Sequence, residues 1–210
     1  MRRPNKIRLR LLFALLALLG ACALRPSETF APNTYFLNPE LSWKNLRPST
    51  GRNARAFLLI TLPTAQPGFE TQRMAYLLRP YEIHYYGYNQ WADTPARMLQ
   101  GVMVKGFDQS GLWAAVLETP GTVRADYRLA SEDLVLEQQF FSNPSRIRLS
   151  LRARLIDLKA QKIIDARHFE IFQPTPSDDP YGGVIAANQA TAKLIAEMAD
   201  WLDKVAKETE

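Results

Sequence analysis

Apolar residues along the chain fall into short runs separated by proline, glycine and charged clusters, and their spacing within a run is either two or three-to-four. Tyr35-Phe36-Leu37 predicts a short first strand. Residues 55–62 (RAFLLITL) form a nearly continuous apolar run ended by Pro63, which predicts a central strand buried on both faces. Pro67-Gly68 is turn chemistry, and residues 73–79 and 81–86 predict two strands with a bend at Pro80. Thr94-Pro95 opens a helix, with a side-chain oxygen at the N-cap and proline where no N–H is missed. Met98, Leu99, Val102, Met103 and Phe107 form its apolar stripe, and Gly111 sits where a glycine cap belongs. Further strands are expected over 112–118, 125–140, 146–158 and 162–172. In the 125–140 segment the apolar parity moves from odd (Tyr127, Leu129) to even (Leu134, Leu136), which predicts a bulge or turn at Ser131-Glu132-Asp133. Residues 157–162 join the last two strands as a hairpin of four or five residues. Val184, Ala187, Leu194, Ile195, Met198, Trp201, Leu202 and Val205 recur at three and four and predict a long C-terminal helix. Strands, helix, strands and helix over residues 34–206 predict a single α/β or α+β domain with a mixed sheet.

The N-terminus follows neither period. Arg2, Arg3, Lys6, Arg8 and Arg10 precede the uninterrupted apolar run 11–21, LLFALLALLGA. Its eleven residues fall short of the roughly 20 that span a bilayer, so residues 1–21 read as a secretory signal peptide. The run ends in Leu19-Gly20-Ala21-Cys22, which resembles the bacterial lipobox. Small side chains give a peptidase access to the backbone, and a thiol can accept a diacylglyceryl group as a thioether. The amino group freed at Cys22 can take another acyl chain. Cys22 is the only cysteine of the chain and is the expected lipid-attachment site. Two or three chains, each contributing about 0.8 kcal/mol per buried CH₂, would hold the protein stably on a membrane. Residue 23 is alanine and not the aspartate that commonly retains such lipoproteins at the inner membrane. By that rule the expected location is the outer membrane, facing the periplasm. Residues 22–33, with two prolines and no periodicity, read as a tether.

This processing changes what the charge means. The 26 basic and 21 acidic residues give +5 overall, which would suit a nucleic-acid or membrane partner. All five basic residues of the signal peptide leave with it, and the remaining 21 against 21 is formally neutral. No nucleic-acid partner is expected. One cysteine and two histidines exclude an intrachain disulfide and a Cys/His zinc cluster, so neither metal nor cofactor is expected.

Two surface candidates remain. Arg146, Arg148, Arg152 and Arg154 alternate with Ile147, Leu149, Leu151, Ala153 and Leu155. Such a ladder can bind phosphates or acidic partners, or it can be a solvated face paired with Glu132, Asp133, Glu137, Asp165 or Glu170. Tyr81, Tyr85, Tyr86, Tyr88 and Trp91 form the densest aromatic belt, fit for an interface or for sheet core. Residues 176–183 (PSDDPYGG) read as a structured loop setting the entry angle of the last helix. There is no G-x-S-x-G elbow, and structural roles are expected for His84 and His168, so an enzyme is not expected.

Four blocks in order resemble the ABC-type transport auxiliary lipoprotein family: residues 67–76 (PGFETQRMAY), 91–99 (WADTPARML), 125–129 (ADYRL) and 177–187 (SDDPYGGVIAA). The resemblance implies an α/β fold related to the TolB N-terminal domain. It also implies an outer-membrane lipoprotein serving an MCE-type (mammalian-cell-entry) or paraquat-inducible complex. Its partners would be an MCE-domain protein and an ABC permease and ATPase, and one branch of the family forms homo-oligomeric rings. It carries over no catalytic residue, only Cys22. An anchored regulator or assembly factor of cell-wall enzymes is the alternative that a TolB-like fold leaves open.

Overall fold

The computed structural model describes residues 31–42, 55–121 and 123–208. The expected signal peptide, Cys22 and most of the expected 22–33 tether lie outside the described residues. The elements are β1 (Asn33–Tyr35), β2 (Phe57–Ile60), β3 (Arg73–Leu77), β4 (His84–Trp91), α1 (Pro95–Gln109), β5 (Ala115–Glu118), β6 (Tyr127–Gln139), β7 (Arg146–Asp157), β8 (Lys162–Pro174) and α2 (Pro180–Glu208). They make one mixed α/β domain, with eight strands in one sheet and Pro32–Glu210 forming one compact unit.

The helix signals act as the spacing predicts. Thr94 caps α1 by accepting from the Arg97 N–H at 3.4 Å, and Gly111 ends it with φ +68, a left-handed value that glycine adopts without strain. Strand ends shift by a few residues. The second strand of the 73–86 pair begins at His84, because Pro80 ends β3's run and Tyr81 turns with φ 68. Leu112 and Trp113 are buried ahead of β5, so apolar character there reports core rather than strand.

The central strand is β6. β7 pairs with it antiparallel on one side, while β2 and β3 pair parallel along the other. The expected bulge is present: the β6–β7 register shifts between Glu132 and Val135, and Asp133 has φ 57. β7 and β8 form the expected hairpin across four residues. The 55–62 run does form an interior strand, paired with β6 on one side and β5 on the other, but it is not buried on both faces. β2 lies next to the outer strand β5, with Leu58 and Ile60 fully buried while Phe57 is 36% exposed. The physical reason is the layering, since both helices pack on the same face of the sheet. Leu99, Met103 and Phe107 of α1 and Leu194, Ile195, Met198 and Leu202 of α2 meet Leu58, Ile60, Leu129, Leu149, Leu151 and Leu155. Among the described residues no helix covers the other face.

The start of α2 repeats the Thr-Pro signal in another form. Asp179 precedes Pro180, and its carboxylate accepts from the Gly182 N–H at 2.7 Å. That bond holds the Asp179 pKa below the usual carboxylate range. A Cβ on Gly182 would fall well inside contact distance of the Ser177 carbonyl, and one on Gly183 would come within 2.5 Å of Gln138 Oε1. Gly182→Ala is therefore expected to cost about 1–3 kcal/mol in urea unfolding, as overpacking typically does. Gly101→Ala, in the interior of α1 with open space around it, is expected to gain about 0.5–1 kcal/mol. Equal effects at the two sites would show that the Ser177 contact does not constrain Gly182.

Candidate functional site

The strand period places the arginines of β7 on the face away from the helices, alternating with the buried Ile147, Leu149, Leu151, Ala153 and Leu155. Register then supplies their neighbours. Arg148 lies opposite Glu137 on β6 and Phe172 on β8, and Arg152 lies between Glu132 and His168. Arg148 pairs with Glu170 at 2.8 Å and with the buried Glu137 at 3.6 Å. Arg146 donates to Gln139 at 3.2 Å, and its guanidinium sits 4.2 Å over the Phe172 ring. This half of the ladder is neutralised internally.

Beyond the β6 bulge the balance differs. Arg154 pairs with Glu132, Arg152 is exposed with no ion pair among the described residues, and Nε of Arg128 is buried without a hydrogen-bond partner. In this half Glu132 pairs with Arg154 and lies opposite Arg152 in register, with Asp133 exposed in the bulge itself. Asp165, counted from sequence as a possible partner, instead accepts from the Trp201 indole at 2.7 Å. The ladder is a solvated, paired face at one end and an under-neutralised basic patch at the other. Arg128 was missed in sequence because it sits on β6, and only register brings it beside Arg154.

The aromatic belt does not form one surface. Trp91 is 2% exposed and belongs to the core, which removes it as an interface residue. Tyr86 is half-buried on the helix side and donates to Gln138 at 3.0 Å, and burial pushes its phenol pKa well up. Tyr85 donates to the Gly68 carbonyl at 2.8 Å beneath the Arg73 guanidinium, whereas Tyr81 and Tyr88 are exposed. The strand period separates them, since neighbouring positions point to opposite faces.

Of the expected loop over 176–183, only residues 176–179 are loop; Pro180-Tyr181-Gly182-Gly183 already form the first turn of α2, because Asp179 caps it and proline is tolerated at its first position. Gln138 donates to Ser145 at 2.9 Å, Ser145 Oγ lies 2.8 Å from Thr175 Oγ1, and Asp178 accepts from the Ser145 N–H at 2.7 Å. This buried polar network joins the β6–β7 turn to the start of α2. His84 stacks on Tyr76 at 5.2 Å and lies 2.9 Å from Glu82, whose pKa the Arg79 hydrogen bond lowers. His168, expected in a packed or hydrogen-bonded structural role, is not packed and stands exposed on the open face. Among the described residues no group of three His, Cys, Asp or Glu side chains is placed to hold a metal.

A Bradyrhizobium diazoefficiens protein of uncharacterized role is 27% identical over 158 residues, which are 75% of this chain and 42% of that protein. The chain therefore spans about two fifths of that relative's length. The crystal structure of a Xanthomonas campestris protein superposes with a TM-score of 0.73 at 23% identity, over 84% of this chain and 98% of that one. A second crystal structure, of an uncharacterized protein, gives 0.62 at 12% identity, over 82% and 99%. These two likenesses establish the fold. A family model for the ABC-type transport auxiliary lipoprotein component matches residues 41–199, which takes in every element from β2 into α2. The chain belongs to the family of ABC-type transport auxiliary lipoprotein components.

Proposed function

We propose that this protein is a non-catalytic docking component, held on the outer membrane through acyl chains on Cys22. It would serve an ABC- or MCE-type complex that moves lipid between the inner and outer membranes. Its family membership supports a transport-associated lipoprotein, and the observation that carries docking is the split arginine ladder. Arg128, Arg152 and Arg154 offer a basic patch with spare guanidinium donors on a rigid three-stranded surface. Guanidinium forks match carboxylates in fixed geometry, so the patch suits an acidic surface of the periplasmic partner. The residues between Cys22 and Pro32 are enough, fully extended, to span up to about 36 Å between the lipid and the domain.

Arg152→Glu tests the docking face. Arg152 is exposed and unpaired, so the change should leave folding within about 0.5 kcal/mol. Co-purification of the MCE protein and its ABC partners is expected to weaken about tenfold or more, while Lys105→Glu on exposed α1 surface has no effect. Undiminished recovery with Arg152→Glu would remove the ladder from the interface. Recovery of a cell-wall synthase, with no MCE protein, would favour an anchored regulator of envelope enzymes.

A further inference from the structure

At one end of the sheet the β3–β4 connection (78–83) and the residues just after β6 lie side by side. The Leu77 carbonyl accepts from the Phe140 N–H at 3.0 Å, and Tyr76 packs edge-on against Phe140 at 6.0 Å. Four large apolar side chains project there: Leu78 is 57% exposed, Tyr81 105%, Ile83 39% and Phe141 42%. Tyr81 holds a left-handed backbone, φ 68, which is unfavourable for a side-chain-bearing residue, and its ring gains no burial in return. Neither domain packing nor solvation accounts for such a cluster. The opposite end is built otherwise, since its exposed Phe57, Val123 and Ile163 are interleaved with Arg55, Arg124, Asp126, Lys159 and Lys162.

The direction of β1 links the apolar end to the anchor. β1 runs parallel to β4, with Asn33 opposite Asn89, and β4 starts at His84 beside the 78–83 connection. The chain thus enters the domain from the side of that end. Asn89 stands five residues along β4 from His84, a distance of about 17 Å. The eleven residues from Cys22 to Pro32 can reach up to about 36 Å, enough to let the apolar tip touch the layer that holds the acyl chains.

We infer that Leu78, Tyr81, Ile83 and Phe141 seat this end of the domain in the headgroup–acyl boundary of the leaflet carrying Cys22. The inference rests on the anchored reading given above. A tyrosine with an apolar ring and a polar hydroxyl suits that boundary, and Arg79 can keep its charge among the headgroups. Arg79 and His84 both pair with Glu82, while Asp178 and Asp179 at the same end engage backbone N–H groups. The end carries no excess of positive charge, so apolar contact drives the seating and zwitterionic lipid suffices. The tip then sets the orientation of the arginine face relative to the membrane.

The test uses the full lipidated chain in phosphatidylcholine vesicles. Diacylation leaves the Cys22 sulfur a thioether, so an introduced cysteine is the sole free thiol for a fluorescent nitrobenzoxadiazole label. Labels are placed through Phe141→Cys, which leaves Leu78, Tyr81 and Ile83 intact, through Tyr81→Cys, and through Lys159→Cys at the opposite end. Side chains seated about 5–10 Å into the boundary should be quenched by doxyl-lipid at least about threefold more strongly at 141 and 81 than at 159. Adding Leu78→Ser and Ile83→Ser should bring the signal at 141 down to that at 159 without altering flotation. Equal quenching at all three positions in a chain that floats with the vesicles overturns the tip contact and leaves the anchor standing. A label at 141 shielded from both doxyl-lipid and aqueous iodide would place a second copy on the tip and also overturn it. A chain that does not float overturns the anchor, and the tip contact falls with it.

Discussion

Trp201→Ala is expected to lower the unfolding free energy by about 3–5 kcal/mol, read as a lower urea midpoint with little change in slope. Trp201 is 3% exposed and lies where the last turns of α2 cross β8. Its ring meets Phe169 edge-on at 5.7 Å, and its indole N–H donates to Asp165 at 2.7 Å. Truncation removes the largest side chain from the α2–β8 contact and leaves a cavity into which the surrounding packing relaxes only in part. Asp165 is exposed, so water can replace the lost donor, and packing dominates the loss. Trp201→Phe separates most of the two effects, because it keeps most of the apolar area while removing the hydrogen-bond donor. It should cost about 1–2 kcal/mol. A loss below 1 kcal/mol for alanine would show that α2 is held mainly by its earlier turns.

Cys22→Ser is expected to abolish acylation and to remove the protein from the outer-membrane fraction. A single myristoyl-sized chain binds a bilayer only marginally, with a constant near 10⁴ M⁻¹, and two or three chains together make the attachment effectively permanent. Serine has the size of cysteine but cannot form the thioether, so no acyl chain replaces the lost ones. Metabolic labelling with palmitate and membrane fractionation read the result. Wild-type protein should carry label and pellet with outer membrane, and the serine variant should do neither. An unlabelled wild type, or an unchanged distribution of the variant, would end the anchored reading. The domain's folding should be unaffected, since Cys22 precedes the compact unit Pro32–Glu210.

Local signals were readable wherever a backbone rule acts within a few residues. Thr94-Pro95 and Gly111 bound α1, the parity change at Ser131-Glu132-Asp133 became the β6 bulge, and four residues link β7 to β8. Asp179-Pro180 was the same kind of signal. It moves the start of α2 ahead of Val184, and the following Gly-Gly obscured it because glycine also marks loops. The apolar run at 55–62 misled for a different reason. Hydrophobicity reports how much of a strand is buried, not which neighbours bury it, and a sheet with helices on one face leaves about a third of Phe57 in water.

By itself the sequence determined the strand and helix alphabet, the alternation that exposes the arginines of β7, and the lipobox-like run ending at Cys22 on which the proposed anchor and the neutrality of a processed chain rest. These depend on period, chain chemistry or counting, all of them local. Tertiary structure decided the rest, because pairing joins residues far apart in the chain. Register set Arg148 opposite Glu137 and within reach of Glu170, put Arg152 opposite a Glu132 whose carboxylate pairs with Arg154, and brought Arg128 diagonally beside Arg154 from another strand. It also divided the tyrosine belt, burying Trp91 and sending Tyr81 to a tip shared with Phe141. A strand's period says which side chains share a face, but only the order of strands in the sheet says what that face meets.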